Sequence, residues 1–301
     1  MSPDDNLQFP ESMRNMFKLI NELKTKKVEW RYKFMSDEVY SSLTDQVEAG
    51  RIYWEEMLTR AHIIALLSMF RTARWFESVE NQGANYYGFC SSLRGLIESI
   101  ADSYYTLQKF PLTIAVDFEV IRKQIGKTSI VLTTHEILEN ELLHFIQGTK
   151  FPGEMLRAVP KYYNAKKIIE YLAAISSDTR VVQVYDHLCS IAHPAFESAR
   201  ILLFLHEGET IVCNDSLELE KQMVVKLLKE TSGTLEEISR IYMNNILSTV
   251  SLLNDFGITS IDTEISGEAE FKKSEIWTEI EMLKEQSIEK YRSAELNGKY
   301  E

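Results

Sequence analysis

His193 stands immediately before Pro194, and this pair is where the chain first offers reactive chemistry. Imidazole is the one side chain whose ordinary proton equilibrium lies near neutrality. Proline has no amide hydrogen to continue a helix, so a helix running into it must end or kink beside the histidine. If the helix ends there, its unpaired carbonyls favour a protonated ring and keep it able to take and give a proton near neutral pH. The helix in question covers 178–192, with Ser177 or Asp178 as its cap; Val181, Val184, Tyr185, Leu188, Ile191 and Ala192 make most of its circumference apolar. One narrow polar stripe is left: Gln183, Asp186, Ser190 and His193 at helical spacing, with Glu197 next in line. A solvated stripe would carry long lysines and glutamates, whereas these side chains are short and suited to bonding a neighbour.

A second polar line, Ser91, Arg94 and Glu98, lies on a helix predicted for 84–110. Tyr87 and Tyr105 bound it, and it is set apart from the apolar stripe Leu93, Ile97 and Ile100. Arg94 and Glu98 are one turn apart. With the two lines face to face, Glu98 can orient His193 as a general base, and Arg94 can hold Asp186 or an incoming anion. The candidate catalytic residues are therefore His193, Glu98 and Arg94, with Asp186, Ser190, Ser91, Tyr87 and Tyr105 as candidate binding residues. The same side chains could equally form a buried network that satisfies only itself.

Other motifs fall short of the chemistry they suggest. Gly126-Lys127-Thr128 ends like a phosphate loop, but Ile121 stands where that loop needs its first glycine. His135-Glu136 opens like a zinc-protease helix, yet Glu139 replaces the second histidine. Glu141 and His144 match one half of a di-metal carboxylate site, and no second half exists. Cys189 and His193, four apart, would share a helix face, but a cysteine among Val184, Tyr185, Leu188 and Ala192 reads as a small buried apolar group. Asp186 with His193 leaves a histidine-carboxylate metal site open as an alternative; the expectation is no metal and no cofactor.

Long helices must position these residues. Apolar positions at three-and-four spacing predict helices over 11–35, 51–80 and 84–110, the last ended by Pro111. Thr133 and Glu136 form a capping-box spacing for a helix reaching Gly148, and further helices are expected over 160–175 and 178–192. Ser216 opens another that runs to Phe256, with a break at Gly233. The run 201–213, two apolar segments around Glu207-Gly208, predicts one small β-hairpin. The fold class is all-α: a multi-helix bundle over 1–257, a linker over 258–267, and a C-terminal amphipathic helix and tail over 268–301.

The 12 glycines and 6 prolines in 301 residues are too few for an architecture that turns at every strand. Net charge −12 repels phosphate backbones and anionic lipid surfaces, so neither non-specific DNA binding nor membrane association is expected. The segment 11–33 is locally basic, seven cations against three anions, which a solvated face explains and which could also meet RNA or an acidic partner at a local site. The expected partners are otherwise a second copy of the chain, giving a homo-oligomer, or another protein. Cys90, Cys189 and Cys213 are odd in number and far apart, writing neither a disulfide framework nor a zinc site. With no secretory pattern at the N-terminus, the expected location is cytoplasmic.

Arg94-Gly95-Leu96-Ile97-Glu98 on one helix, followed by Tyr185-Asp186-His187-Leu188-Cys189-Ser190-Ile191-Ala192-His193-Pro194, resembles bacterial helical proteins related to the HEPN superfamily. The resemblance implies a HEPN-like helical bundle acting in toxin-antitoxin or phage-defence systems, in some members as a ribonuclease. It implies His193 as general base on a ribose hydroxyl. The family's catalytic arginine lies a few residues ahead of its histidine; here His187 and Asp186 occupy that stretch, Arg180 is the nearest arginine, and Arg94 would supply the cation instead.

Overall fold

The computed structural model shows an all-α, multi-helix protein. It describes residues 7–25, 32–128, 133–148, 164, 166–193, 198–199, 203–206, 210–213, 216–258 and 271–296. The helices are α1 (Glu11–Thr25), α2 (Asp37–Ser41), α3 (Gln46–Asn81), α4 (Tyr86–Leu107), α5 (Phe110–Val116), α6 (Phe118–Ile125), α7 (Glu136–Gln147), α8 (Ile168–Ile175), α9 (Thr179–Ala192), α10 (Leu217–Asp255) and α11 (Glu275–Leu296). Strands β1 (Leu203–His206) and β2 (Thr210–Cys213) pair antiparallel, Leu203 opposite Cys213 and His206 opposite Thr210. The chain forms two units: unit 1 takes Met1–Asn21, Ser68–Asp102 and Lys167–Tyr242, and unit 2 takes Glu22–Leu67, Ser103–Lys166 and Met243–Glu301.

Unit 1 is organised by the apolar spacing of its helices. Met13, Met16 and Ile20 of α1, Ala73, Phe76 and Val79 of α3, Phe89, Leu93 and Ile97 of α4, and Leu235 and Ile238 of α10 are all buried. Phe76 anchors α1, its ring centroid 4.3 Å from Phe17 and 5.0 Å from Phe9. Within this unit α3 and α4 run antiparallel in a fixed register. Arg71 Nε donates to Ser99 Oγ at 3.1 Å, the Trp75 ring covers Gly95, and the Ser78 and Ser92 hydroxyls are 2.8 Å apart. A polar thread runs inward from this seam: Thr72 Oγ1 lies 3.0 Å from Ser99 Oγ and donates at 3.4 Å to the hydroxyl of the fully buried Tyr242. Two helix N-termini are capped from a distance by α10. Glu236 accepts from the Ser12 N–H at 3.0 Å and Glu220 accepts from the Tyr86 N–H at 2.8 Å, each carboxylate meeting the positive end of a helix dipole.

In unit 2, α11 packs on α5 and α6. Its residues Ile280, Ser287 and Tyr291 are buried, and Ser287 Oγ accepts from the Glu119 N–H at 3.2 Å. The Phe118 and Phe256 rings meet tilted, centroids 4.9 Å apart, and Trp54 is fully buried. Residues 259–270, which carry most of the expected linker, lie outside the described residues.

Several boundaries differ from the sequence expectation: α3 starts at Gln46 rather than 51, α8 starts at Ile168 rather than at 160, with 166–167 not helical, and four more concern α1, α5, α7 and α10. Helix α1 is described only to Thr25, and 32–36 are not helical, so the first helix does not run to 35. Pro111 opens α5 rather than merely ending α4, because a proline in the first turn has no amide to lose. The N-cap of α7 is His135 instead of Thr133, and no side chain caps it: the His135 imidazole is taken by Asp117 at 2.7 Å. Helix α10 passes through Gly233 unbroken, carried by Leu228 before it and Leu235 after it, both buried.

Two glycines should respond oppositely to an added methyl. Nothing lies within 4 Å of a Cβ placed on Gly233, so Gly233→Ala should stabilise the protein by about 0.5–1 kcal/mol through helix propensity alone. A Cβ on Gly95 would come within 2.6 Å of the Trp75 ring, so Gly95→Ala should cost about 1–3 kcal/mol. Urea melts of the two variants against the parent check both signs.

Candidate functional site

The two polar lines meet in unit 1. Helix α9 starts at Asp178, whose carboxylate accepts from the Arg180 N–H at 2.8 Å. It ends at Ala192, with His193 in extended backbone at φ −92° and ψ 149°. That is the region a residue preceding proline prefers, and the last helical bond is the His193 N–H to the Cys189 carbonyl at 3.0 Å. The imidazole is thereby left exposed at the helix end.

Arg94 Nη1 lies 3.4 Å from His193 Nε2. A guanidinium has only donors, so a bond here requires Nε2 to accept and places the imidazole proton on Nδ1. Arg94 Nε is 3.5 Å from Glu98 Oε1 and has no closer acceptor although it is buried. Glu98 Oε1 accepts instead from the Tyr185 hydroxyl at 2.6 Å. Burial, then the Glu98 carboxylate, then Cys189 hold the Tyr185 hydroxyl well above the ordinary phenol value, so it stays protonated as a donor. The order along the site is Tyr185, Glu98, Arg94, His193: two groups from the α4 line, one from the end of α9, and a phenol that fixes the carboxylate.

This pairing differs from the sequence expectation. Glu98 does not orient His193, and Arg94 does not hold Asp186. Asp186 is exposed, one residue and hence about 100° around α9 from Tyr185, which takes the inward place. Ser190 Oγ is spent on the carbonyl of His187 at 2.8 Å, and Ser91 is exposed. The Tyr87 hydroxyl donates to the Ser198 carbonyl at 2.5 Å and so holds the chain beyond α9 rather than a ligand. Tyr105 belongs to unit 2, where Lys166 Nζ is bonded to its hydroxyl and lies 4.0 Å from the ring centroid. Glu197 lies outside the described residues. Tyr185 was missed because its ring counted as apolar; the signal was its hydroxyl, which needs a partner once the ring is packed.

Unit 2 holds a separate half-buried pair, His135 Nε2 and Asp117 Oδ2 at 2.7 Å, with the His135 N–H donating to the Tyr53 hydroxyl at 2.9 Å. The pair ties the start of α7 to the α5–α6 junction. Among the described residues, no group of three or more His, Cys, Asp or Glu side chains could hold a metal ion, and no helix is long and apolar enough to cross a membrane. Comparison with known proteins finds no matching family model, no matching curated protein and no matching solved structure.

Replacing Tyr185 by phenylalanine should cost about 1 kcal/mol, since Glu98 loses its donor. Tyr185 is held protonated above its ordinary value of 10.0, so its contribution is full below pH 10 and is lost as pH rises beyond it. The stability gap between the parent and Tyr185→Phe, from denaturant melts, should therefore be constant near neutral pH and shrink above pH 10.

Proposed function

We propose that unit 1 carries a ribonuclease site in which His193 is the general base and Arg94 the phosphate-binding cation, in a HEPN-like helical protein of the toxin or defence type. The observation that carries the reading is the Arg94–His193 contact at 3.4 Å on an exposed helix end. An unprotonated Nε2 beside a permanent cation is suited to RNA chemistry. A ribose 2′-hydroxyl takes the place of Arg94 on Nε2 and gives up its proton to it. The 2′-oxygen bonds to phosphorus while the bond to the 5′-oxygen of the next nucleotide breaks. That oxygen leaves as a hydroxyl on taking a proton from water, the His193 imidazolium returns its own proton to solvent, and the cut end is a 2′,3′-cyclic phosphate. Arg94, displaced onto the phosphate, stabilises the charge that grows there. The Tyr185 hydroxyl holds Glu98 short of full pairing with Arg94, which leaves the guanidinium beside the imidazole. The net charge of −12 makes loose attraction of RNA weak, so recognition has to be local.

Incubation of the purified protein with labelled single-stranded RNA in EDTA tests this. The parent should release products ending in 2′,3′-cyclic phosphate and leave DNA of the same sequence whole. His193→Ala should slow cleavage about 10²- to 10⁴-fold and Arg94→Ala about 10²- to 10³-fold. RNA left intact by the parent, or cut equally by His193→Ala, removes the reading.

A further inference from the structure

We infer that the outer face of the Trp75 indole is a stacking platform for one unpaired base of single-stranded RNA, seated beside the Arg94–His193 pair; this rests on the ribonuclease reading above. The three ring atoms nearest to a Cβ placed on Gly95 are Cε3, Cζ3 and Cδ2, at 2.6, 2.6 and 2.7 Å. These are consecutive atoms of one six-membered ring. A point equidistant from three consecutive corners of a hexagon lies on the axis through its centre, so the ring lies flat over the bare backbone of Gly95 rather than edge-on to it.

One face of the indole is therefore covered by α4, and the exposed surface is the other face and the rim. Trp75 is 39% exposed, while its α3 neighbours Ala73 and Phe76 are buried. Among the described residues no second ring and no cation lies over it. A flat aromatic surface seated on glycine and open on its far side is what an unstacked base requires.

The arginines nearby are groups that a phosphate, which an apolar peptide does not offer, can engage. Arg94 is the chain neighbour of Gly95, their Cα atoms about 3.8 Å apart, and its side chain leaves α4 about 100° round from the Gly95 position, so a base on Trp75 and a phosphate at Arg94 would lie on adjoining faces of α4. On α3, Arg74 adjoins Trp75 in sequence and Arg71 lies one turn before it. Arg74 is mostly exposed and, among the described residues, is paired with Glu77 at 2.9 Å, an ion pair that a phosphate can displace at little cost. Arg71 is held by Asp102 at 2.7 Å and by Ser99, and so stiffens the seat. Each of the three arginines has a carboxylate beside it, Asp102, Glu77 and Glu98, so the ground around the open indole is locally neutral in a chain of net charge −12.

Binding of a short labelled oligoadenylate, followed by anisotropy in the His193→Ala background, tests the platform. Trp75→Ala should weaken binding about 5- to 100-fold, Trp75→Phe should keep most of it, and a base-paired RNA should bind poorly to all. Oligoadenylate should also quench part of the tryptophan emission, and that part should be missing in Trp75→Phe. Equal binding by parent and Trp75→Ala, equally weak binding by Trp75→Phe and Trp75→Ala, or a quench that survives in Trp75→Phe overturns the platform while leaving the ribonuclease standing. A parent that neither binds nor cuts RNA overturns both.

Discussion

Glu98 is claimed twice, by the Tyr185 hydroxyl and by the Arg94 guanidinium, and the geometry around His193 depends on that double claim. Tyr185 is the stronger claimant, at hydrogen-bond distance, and it fixes the carboxylate against α9. Arg94, one turn before Glu98 on α4, is then left with a guanidinium whose inner nitrogen lacks a close acceptor and whose outer nitrogen reaches the imidazole. A carboxylate free to rotate would pair fully with the arginine and draw it off the histidine. The phenol thus keeps the cation incompletely neutralised, the state in which it has most to gain from an anion.

What holds α4 in place for this is a second set of polar bonds. Arg71, Thr72, Ser99, Asp102 and Tyr242 link α3, α4 and α10 within unit 1. Short hydroxyls allow close helix approach, and each donor specifies one acceptor, so sliding α3 along α4 by a turn would break several bonds together. Apolar packing alone tolerates such slips; a bonded seam does not.

The long helices and their apolar faces were legible in the sequence, because a three-and-four spacing sustained over many turns admits few other structures. So was the end of α9, where Pro194 forces the backbone of His193, and so was its start, where Asp178 caps. The rotational setting of α9 was not. A one-residue error turns a helix by about 100°, enough to exchange Asp186 for Tyr185 at the carboxylate. A polar residue beside an apolar stripe reads as inward-facing only if its neighbour reads as wholly apolar, and tyrosine is both. The short helices α5 and α6 were hidden because Pro111 marks a helix end and a helix start with the same letter. The seat of Trp75 was hidden too: a glycine inside a helix looks like a defect until the side chain that occupies its missing methyl is seen.

Each unit is assembled from three separated stretches of chain, and this bears on how the protein is made. A ribosome releases residues in order. Met13, Met16 and Ile20 leave it long before the buried α10 residues of the same unit, Leu235 and Ile238. Unit 1 lacks its last stretch until Tyr242 is made, and unit 2 lacks its own until the stretch from Met243 follows. Until α10 is made, the apolar faces of α1, α3 and α4 lack the α10 side of their core, so closure of unit 1 has to wait for contacts that are far apart in sequence.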